Sequence, residues 1–389
     1  MAEGAAPADK LLREAQDHLA AGRIALADFY ACEVLDRAPA HAGARAVLDA
    51  IALRLGLRDR TLFALAAPPG SLLVIKAFGH GFWSEIANVL GCILLAEITG
   101  RTPVTLWGAN CRYSDGATPD AFRRYFEPLS DVLPQDLRAA AAFFPAKWTA
   151  DTIFRDDVQK FEGDGARLPG IAFLGRRESV AVVDFHVAVA DLLHWIPRDH
   201  PLHGKSPSNI HQYLARKYLT PTADVRRHIA ALDATARLSD IEIAVHARGS
   251  DKAAELANLD EINAHYLQFL PQIYKGGRVM LLTDDERLIP PYAAMFGDKL
   301  VVPDGIRQEG GVAPHFRPGI DRVQAGMEAM RDVYAAVMAE TFLGNGRSNF
   351  SCMIPALRPP GADNYLIGGD GMSLRSAHKF VMKAPPGAR

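Results

Sequence analysis

The sequence predicts an α/β protein with two sheet-bearing units behind a small all-α segment, and three observations carry that expectation. Short apolar runs alternate with helical patterns in two stretches, 70–236 and 237–389. Several of those runs end in polar or glycine-bearing loops, as strands do where an open sheet meets its ligand. Residues 1–66 contain no strand pattern and are rich in Ala, Leu and Arg.

The opening segment comes first. Ala15, Leu19, Gly22, Ala27, Ala31, Leu35 and Pro39 follow the small-and-large spacing of a tetratricopeptide-type helical pair, and His41 to Leu55 reads as the next helix. One repeat and a half cannot bury its own face, so it must pack on the rest of the chain or on another chain. A helical cap on the body and a device for docking a partner both fit.

After the turn-rich Ala67-Pro68-Pro69-Gly70, Ser71 to Lys76 is a strand, Gly79-His80-Gly81 a loop, Phe82 to Thr99 a long helix and Pro103 to Trp107 a second strand. Gly79 and Gly81 would let a ligand approach the backbone, and the amides opening the next helix favour an anion. The spacing is not that of a dinucleotide fingerprint, which weakens an oxidoreductase reading. His80 fits a ligand loop or a plain helix start.

From Tyr113 to Ala236 the sequence says less about chemistry. Val180 to Val183 reads as a strand, and Phe122 to Glu127, Asp184 to Trp195 and Asn209 to Leu219 read as helices. Lys205, His211 and Arg216 could line an acceptor cleft, although solvated charges explain them as well.

The second unit opens with the stretch around which the chain is organised. Ile243 to Val245 is a buried strand that runs into His246, Arg248, Asp251 and Lys252, with Gly249 breaking the pattern. Arg offers a planar fork of donors and Lys a point charge, and both suit a diphosphate leaving with its negative charge. An ordinary basic surface loop is the competing account. Arg278 to Leu282 is the next strand and ends in Thr283-Asp284-Asp285; Asp285 can cap the helix Glu286 to Phe296, leaving Asp284 for a ligand. A strand at Leu300 to Val302 and a helix from Asp321 to Glu340 follow. The strand Thr341 to Leu343 then delivers Gly344-Asn345-Gly346-Arg347-Ser348-Asn349-Phe350-Ser351, a glycine, Ser and Asn run at a helix start that can seat a phosphate. A plain N-cap by Ser348 or Asn349 competes with that.

Composition bounds the function. The chain has 389 residues, a net charge of -2, 49% hydrophobic and 23% charged residues, and no Lys/Arg-rich run, so nothing suggests a nucleic-acid footprint. Cys32, Cys92, Cys111 and Cys352 are scattered without metal-ligand spacing, as buried reduced thiols would be. Met1 to Ala8 lacks the apolar core of a signal peptide, and Ile86 to Ile98 is too short to span a bilayer, so a cytoplasmic protein is expected.

In order and spacing, His246-Ala247-Arg248-Gly249-Ser250-Asp251-Lys252 resembles the H-x-R-R-x-D-K motif of the α-1,6-fucosyltransferase group of GT-B glycosyltransferases, which includes protein O-fucosyltransferases and nodulation fucosyltransferases. Leu282 to Asp285 resembles that superfamily's second motif, and Asp321 through Asp332 to Ser351 its third. Gly79 to Glu85 stands where the superfamily has a glycine-rich loop. The resemblance implies two Rossmann-like domains facing a cleft, at 70–236 on the acceptor side and 237–389 on the nucleotide-sugar side. It implies metal-independent inverting transfer of a sugar, most plausibly fucose from GDP-fucose, to a glycan or protein acceptor that the N-terminal helices could help to dock. No cofactor is implied beyond that cosubstrate. Arg248 would hold the donor diphosphate, with His246, Asp251 and Lys252 shaping its loop; Asp332 matches a guanine-side acidic position. Asn345, Ser348, Asn349 and Ser351 would form the phosphate seat, with Ser348 and Ser351 on the β-phosphate. Asp284, Asp285 and His315 would stand on the donor side, and Glu255 would be the base. Gly249 departs from the motif by replacing its second arginine, which keeps another donor open. A catalytically silent interaction protein is the reading from a different class.

Overall fold

The computed structural model describes residues 5–57, 67–140, 142–161, 165–249, 258–308 and 312–375. The opening segment is three helices, α1 (Ala5–Ala20), α2 (Ile24–Arg37) and α3 (Ala42–Arg54). The small residues of the repeat-like pattern are its seam: Ala15, Ala27 and Ala31 are fully buried, and Gly22 turns the chain at φ +74°. The segment packs on the body, where the buried Asp28 carboxylate accepts from Trp195 Nε1 at 2.8 Å and Arg375 forks onto Asp36 at 2.9–3.0 Å.

The first sheet holds β1 (Leu72–Lys76), β2 (Thr102–Leu106), β3 (Phe143–Phe144) and β4 (Val180–Val183), all parallel in the order β2-β1-β4-β3. Between β1 and β2 runs α4 (Phe82–Thr99), long and apolar enough to cross a membrane but buried along nearly its whole length as the core helix of this unit. Gly91 is required there, since a Cβ would stand 2.0 Å from the Val187 carbonyl oxygen.

Two helical expectations in the middle stretch are corrected. Phe122 to Glu127 is one short 3-10 turn, Ala121–Arg124, after which Phe126 bridges to Pro221. Asp184 to Trp195 is helical only from α5 (Val189–Leu192) through the 3-10 turn Leu193–Trp195, because 184–188 runs past the end of β4 as irregular chain that bends at Phe185. The helices α6 (Pro207–Tyr218) and α7 (Ala223–Ala236) follow, capped by the hydroxyls of Ser206 and Thr222.

The second sheet is built from β5 (Ile241–Ala247), then α8 (Leu259–Ile273), β6 (Arg278–Thr283), α9 (Ile289–Phe296), β7 (Leu300–Val301), α10 (Arg322–Met338), β8 (Thr341–Asn345), α11 (Asn349–Leu357) and β9 (Asp363–Ile367). All five strands are parallel in the order β7-β6-β5-β8-β9. Every residue of β5 is buried, as expected for a central strand covered on both faces. Register puts His246 level with Leu282 on one side and Gly344 on the other, so the three following loops emerge together. Strand order reverses between β5 and β8, and between β1 and β4 in the first sheet, and ligands of open α/β sheets bind at such switch points.

The two units meet through α10. Trp83 Nε1 donates to the Ala329 carbonyl at 3.1 Å, and Gly326 lets Tyr125 in, since a Cβ would lie 2.3 Å from its hydroxyl. Helices α6 and α7 pack against α11 and α10 respectively, with Arg216 donating to the Arg358 carbonyl at 2.8 Å. One apolar core therefore runs from the opening helices through α4 to α10 and α11. A cleft is left between the carboxyl edges of the two sheets.

Candidate active site

The cleft encloses about 410 Å³ and takes its walls from both units. From the β5 end come His246 and Arg248, from the β6 end Leu282, Thr283 and Asp284, and from the start of α11 Ser348, Asn349 and Phe350. His80 to Ser84 and Tyr113 face them, while α10 contributes Glu328 and Asp332 and the loops before it Arg307, His315 and Phe316.

Arg248 is a fixed cation of this space. Its Nη1 lies 2.8 Å from Asp284 Oδ2, and the side chains keep only 18% and 10% of their surface exposed. The other Asp284 oxygen accepts from the Gly249 amide at 3.0 Å, and Asn263 Nδ2 donates to the Arg248 carbonyl at 2.8 Å. Asp284 thus lines the cleft, as expected, and also orients Arg248. Asp285 is outside the cleft lining, unlike its expected donor-side place, and takes the cap that its position allows, accepting from the Arg287 amide at 3.0 Å and pairing with that guanidinium. Its side chain also explains the missing second arginine, since a Cβ on Gly249 would stand 2.3 Å from Asp285 Oδ2. Gly249→Arg should therefore destabilise the fold by about 1–3 kcal/mol, the usual range for overpacking, and add no nucleotide affinity. Denaturant melts and a nucleotide titration of that variant check both halves.

His246 sits at the β5/β8 switch point, stacked on Phe350 with ring centroids 4.1 Å apart and its Nδ1 2.6 Å from Ser351 Oγ. Burial, and then the Arg248 charge, push its pKa down to about 3 against the opposing pull of Asp284, so the imidazole is neutral near pH 7. Ser351 is fully buried, and its hydroxyl also accepts from the Asn345 amide at 3.0 Å. It stands behind His246 and does not line the cleft, which corrects its expected β-phosphate contact. Asn345 is corrected likewise: its Oδ1 closes the turn by accepting from the Arg347 amide at 2.8 Å. Ser348 and Asn349 do line the cleft. Ser348 holds the N-cap position of α11 yet makes no capping bond, so its hydroxyl is not spent on the helix.

The first loop is not the anion seat that its glycines suggest. The Glu85 carboxylate, fully buried in the first turn of α4, already accepts from the amides of Phe78 at 3.1 Å, Gly79 at 2.7 Å and His80 at 2.9 Å. The Phe82 amide is taken by the Tyr113 hydroxyl at 2.8 Å, and the Gly79 carbonyl by Arg112 Nε at 2.6 Å. His80 and Gly81 form cleft wall, whereas Gly79 turns the chain behind it at φ +86°. His315 lines the cleft beside this wall, 6.3 Å from Tyr113 between ring centroids, and Arg112 covers the neighbouring Phe316.

Asp332 joins the cleft from α10. Burial lifts its carboxyl to about 6 although Arg331, 2.7 Å away, pulls the other way. Asp251, Lys252 and Glu255 lie outside the described residues. Lys205, His211 and Arg216 do not line the cleft: Lys205 is exposed, His211 is buried with its Nδ1 on the Pro207 carbonyl, and Arg216 ties α6 to α11. Sequence reasoning passed over Arg307, Tyr113 and Phe316, which follow no motif, gave no role to Glu328 and Phe350 although they lie within the third motif, and used Glu85 only to mark the end of a motif. An acidic residue in the first turn after a glycine loop was the available signal for it.

No protein-family model matches the chain, and no curated protein matches it. Solved structures do. The NodZ α-1,6-fucosyltransferase soaked with GDP-fucose is 19% identical over 74% of this chain and 93% of its own, with a TM-score of 0.48. Fucosyltransferase NodZ from Bradyrhizobium is 18% identical over 74% and 94%, with a TM-score of 0.47. POFUT1 in complex with GDP is 14% identical over 78% and 100%, with a TM-score of 0.47. The chain is similar in architecture to these fucosyltransferases.

Proposed function

We propose that this chain is an inverting, metal-independent glycosyltransferase that takes its sugar from a nucleoside diphosphate sugar, GDP-fucose in the first instance, and passes it to a glycan or protein acceptor. The observation that carries this is Arg248, held by Asp284 at the carboxyl end of the central strand and facing the same cleft as Ser348 and Asn349 at the start of α11. A guanidinium, a hydroxyl and a helix amino terminus suit a leaving diphosphate, whose charge grows as the bond from sugar carbon to phosphate oxygen breaks. The acceptor oxygen attacks the opposite face of that carbon and gives its proton to a carboxylate. The motif resemblance assigns that base to Glu255. Neutral His246 can shape the diphosphate pocket without adding a titrating charge. A different nucleotide-sugar donor is the second reading, favoured by the way Asp285 closes the space of the family's second arginine.

The test is the melting temperature of the purified protein with GDP, UDP, CMP and their sugar conjugates, with and without added divalent metal. A ligand at one hundred times its Kd stabilises the native state by ~2.7 kcal/mol, a readable shift. A GDP-selective shift without metal is the expected result. Selectivity for UDP or CMP would replace the donor, dependence on metal would overturn the metal-independent chemistry, and no shift with any nucleotide would overturn the transferase reading.

A further inference from the structure

The chain that leaves β9 runs back to the opening helices, and its first residues brace the turn after β8. The Gly346 amide donates to the Ile367 carbonyl at 2.8 Å, the Gly371 amide donates to the Gly346 carbonyl, and Arg347 Nε donates to the Gly368 carbonyl at 3.0 Å. No side chain fits at Gly346, because the Gly369 carbonyl occupies the space of its Cβ, and Gly368 and Gly369 bend the strap there at φ +83° and +100°. Ser348 and Asn349, which line the cleft, follow directly in the braced turn.

The far end of the strap is fixed as well. Asp370 caps the 3-10 turn Gly371–Ser373, accepting from the Met372 amide at 3.1 Å, and Met372 is buried. Arg375 then forks onto Asp36 of α2 through Nε and Nη2, and its Nη1 donates to the Ala190 carbonyl of α5. His194 Nε2 lies 2.9 Å from the same carboxylate. Arg375 is 8% exposed, so little water competes for a bidentate bond of this kind. A run of bonded groups thus joins α2 to the start of α11, through Arg375, the turn at Asp370, the strap glycines and Gly346. Pinned at one end only, such a strap would leave the turn 346–349 free to shift. Pinned at both, it fixes where that turn meets the cleft, and donors help a leaving diphosphate most when they stand in place beforehand.

On the reading of the cleft as a nucleotide-sugar site with its phosphate seat at Ser348 and Asn349, we propose that Asp36 and Arg375 are positioning residues through which the opening helices hold that seat in place. The strap 368–375 carries the effect. The helical segment then acts on the reaction from within the chain, although none of its residues lines the cleft.

Calorimetric titration of GDP, UDP, guanosine and uridine into the full chain tests this, as wild type, Asp36→Ala, Arg375→Ala, Arg375→Lys, the double alanine variant and Trp195→Phe. Arg375→Ala should weaken the diphosphate that wild type prefers by about 2- to 30-fold, the range over which residues along such a chain act, and leave its nucleoside unchanged. Asp36→Ala should do likewise, and the double variant should lose no more than Arg375→Ala, as two halves of one bond do. Arg375→Lys, which keeps the charge but not the fork, should fall between. Trp195→Phe removes another anchor of the opening helices, the bond to Asp28, without touching the strap. It should melt earlier than wild type yet bind the diphosphate equally well. Equal losses for diphosphate and nucleoside, additive losses in the double variant, or a loss in Trp195→Phe matching that of Arg375→Ala would each overturn the proposal. If wild type binds a diphosphate and Arg375→Ala binds it as tightly, the positioning role fails and the nucleotide-site reading stands. If wild type binds neither diphosphate, both fail.

Discussion

Arg248→Ala should lower sugar transfer by roughly 10²–10³-fold, the cost of removing one preorganised donor from a developing negative charge. The size follows from the setting. Arg248 is largely enclosed, and its guanidinium is fixed by the Asp284 carboxylate before any substrate arrives. A charge held ready in a partly dry cleft stabilises a departing diphosphate without reorganising, which water cannot do. Removing it should depress turnover more than ground-state binding, so kcat/KM and kcat should both fall while GDP binding weakens less. Asp284→Asn separates holding from contact. It keeps the shape and one acceptor for the Gly249 amide but gives up the ion pair, so turnover should fall by a smaller factor with GDP affinity little changed. The measurement is release of GDP from GDP-fucose, under single-turnover conditions, for the three proteins. Equal losses in binding and turnover for Arg248→Ala would mean uniform binding of the donor and no special role in the transition state.

The parts of this site that were legible in the sequence share one physical property: they follow directly from a strand. Arg248 comes one residue after β5, Asp284 one after β6 and Ser348 three after β8, and an apolar run that stops in polar residues announces such positions. What could not be read was the partner each side chain takes. The cap could be assigned to Asp285 from its place before the helix, but nothing in the sequence marked Arg248 as the partner of Asp284. Ser351 resembles a phosphate ligand by its place in the motif, but the helical turn from Ser348 to Ser351 carries it behind His246. Arg307 and Tyr113 reach the cleft from irregular loops whose paths are set by tertiary contacts and leave no periodic trace. The middle stretch failed for a related reason: the apolar residues of 184–195 read as one helix face, whereas the helix starts only at Val189 and the backbone of Val187 and Ala188 packs against α4 at Gly91.

Glu85→Ala should destabilise the protein by about 1–3 kcal/mol, since it strands the buried amide of Phe78 and frees the part-buried amides of Gly79 and His80, and an unsatisfied buried donor costs roughly that much. When ionised, the carboxylate is an internal anion. It occupies the cradle that a glycine loop and a helix start would otherwise offer to a phosphate, and this leaves the diphosphate to the Arg248 side of the cleft. Burial outweighs the three amide bonds and the Arg112 charge, so its pKa is pushed up to about 7 from an ordinary 4.5. The folded value lies above the unfolded one, so the folded state holds this proton more tightly. The resulting stabilisation is complete below about pH 4.5 and is lost as pH rises through 7. Glu85→Gln cannot titrate; the stability difference between wild type and that variant should therefore shift against wild type between pH 5 and pH 8. Urea unfolding across that range measures the slope, and a flat difference would mean that Glu85 is already ionised at pH 5. Small anions supply the remaining control. Formate has the shape of the missing group, so it should raise the melting temperature of Glu85→Ala and leave wild type unmoved, while chloride at equal ionic strength should do neither. Equal shifts from formate and chloride would show that the amide cradle collapses once Glu85 is gone, and that the side chain shapes the loop rather than filling a site already formed.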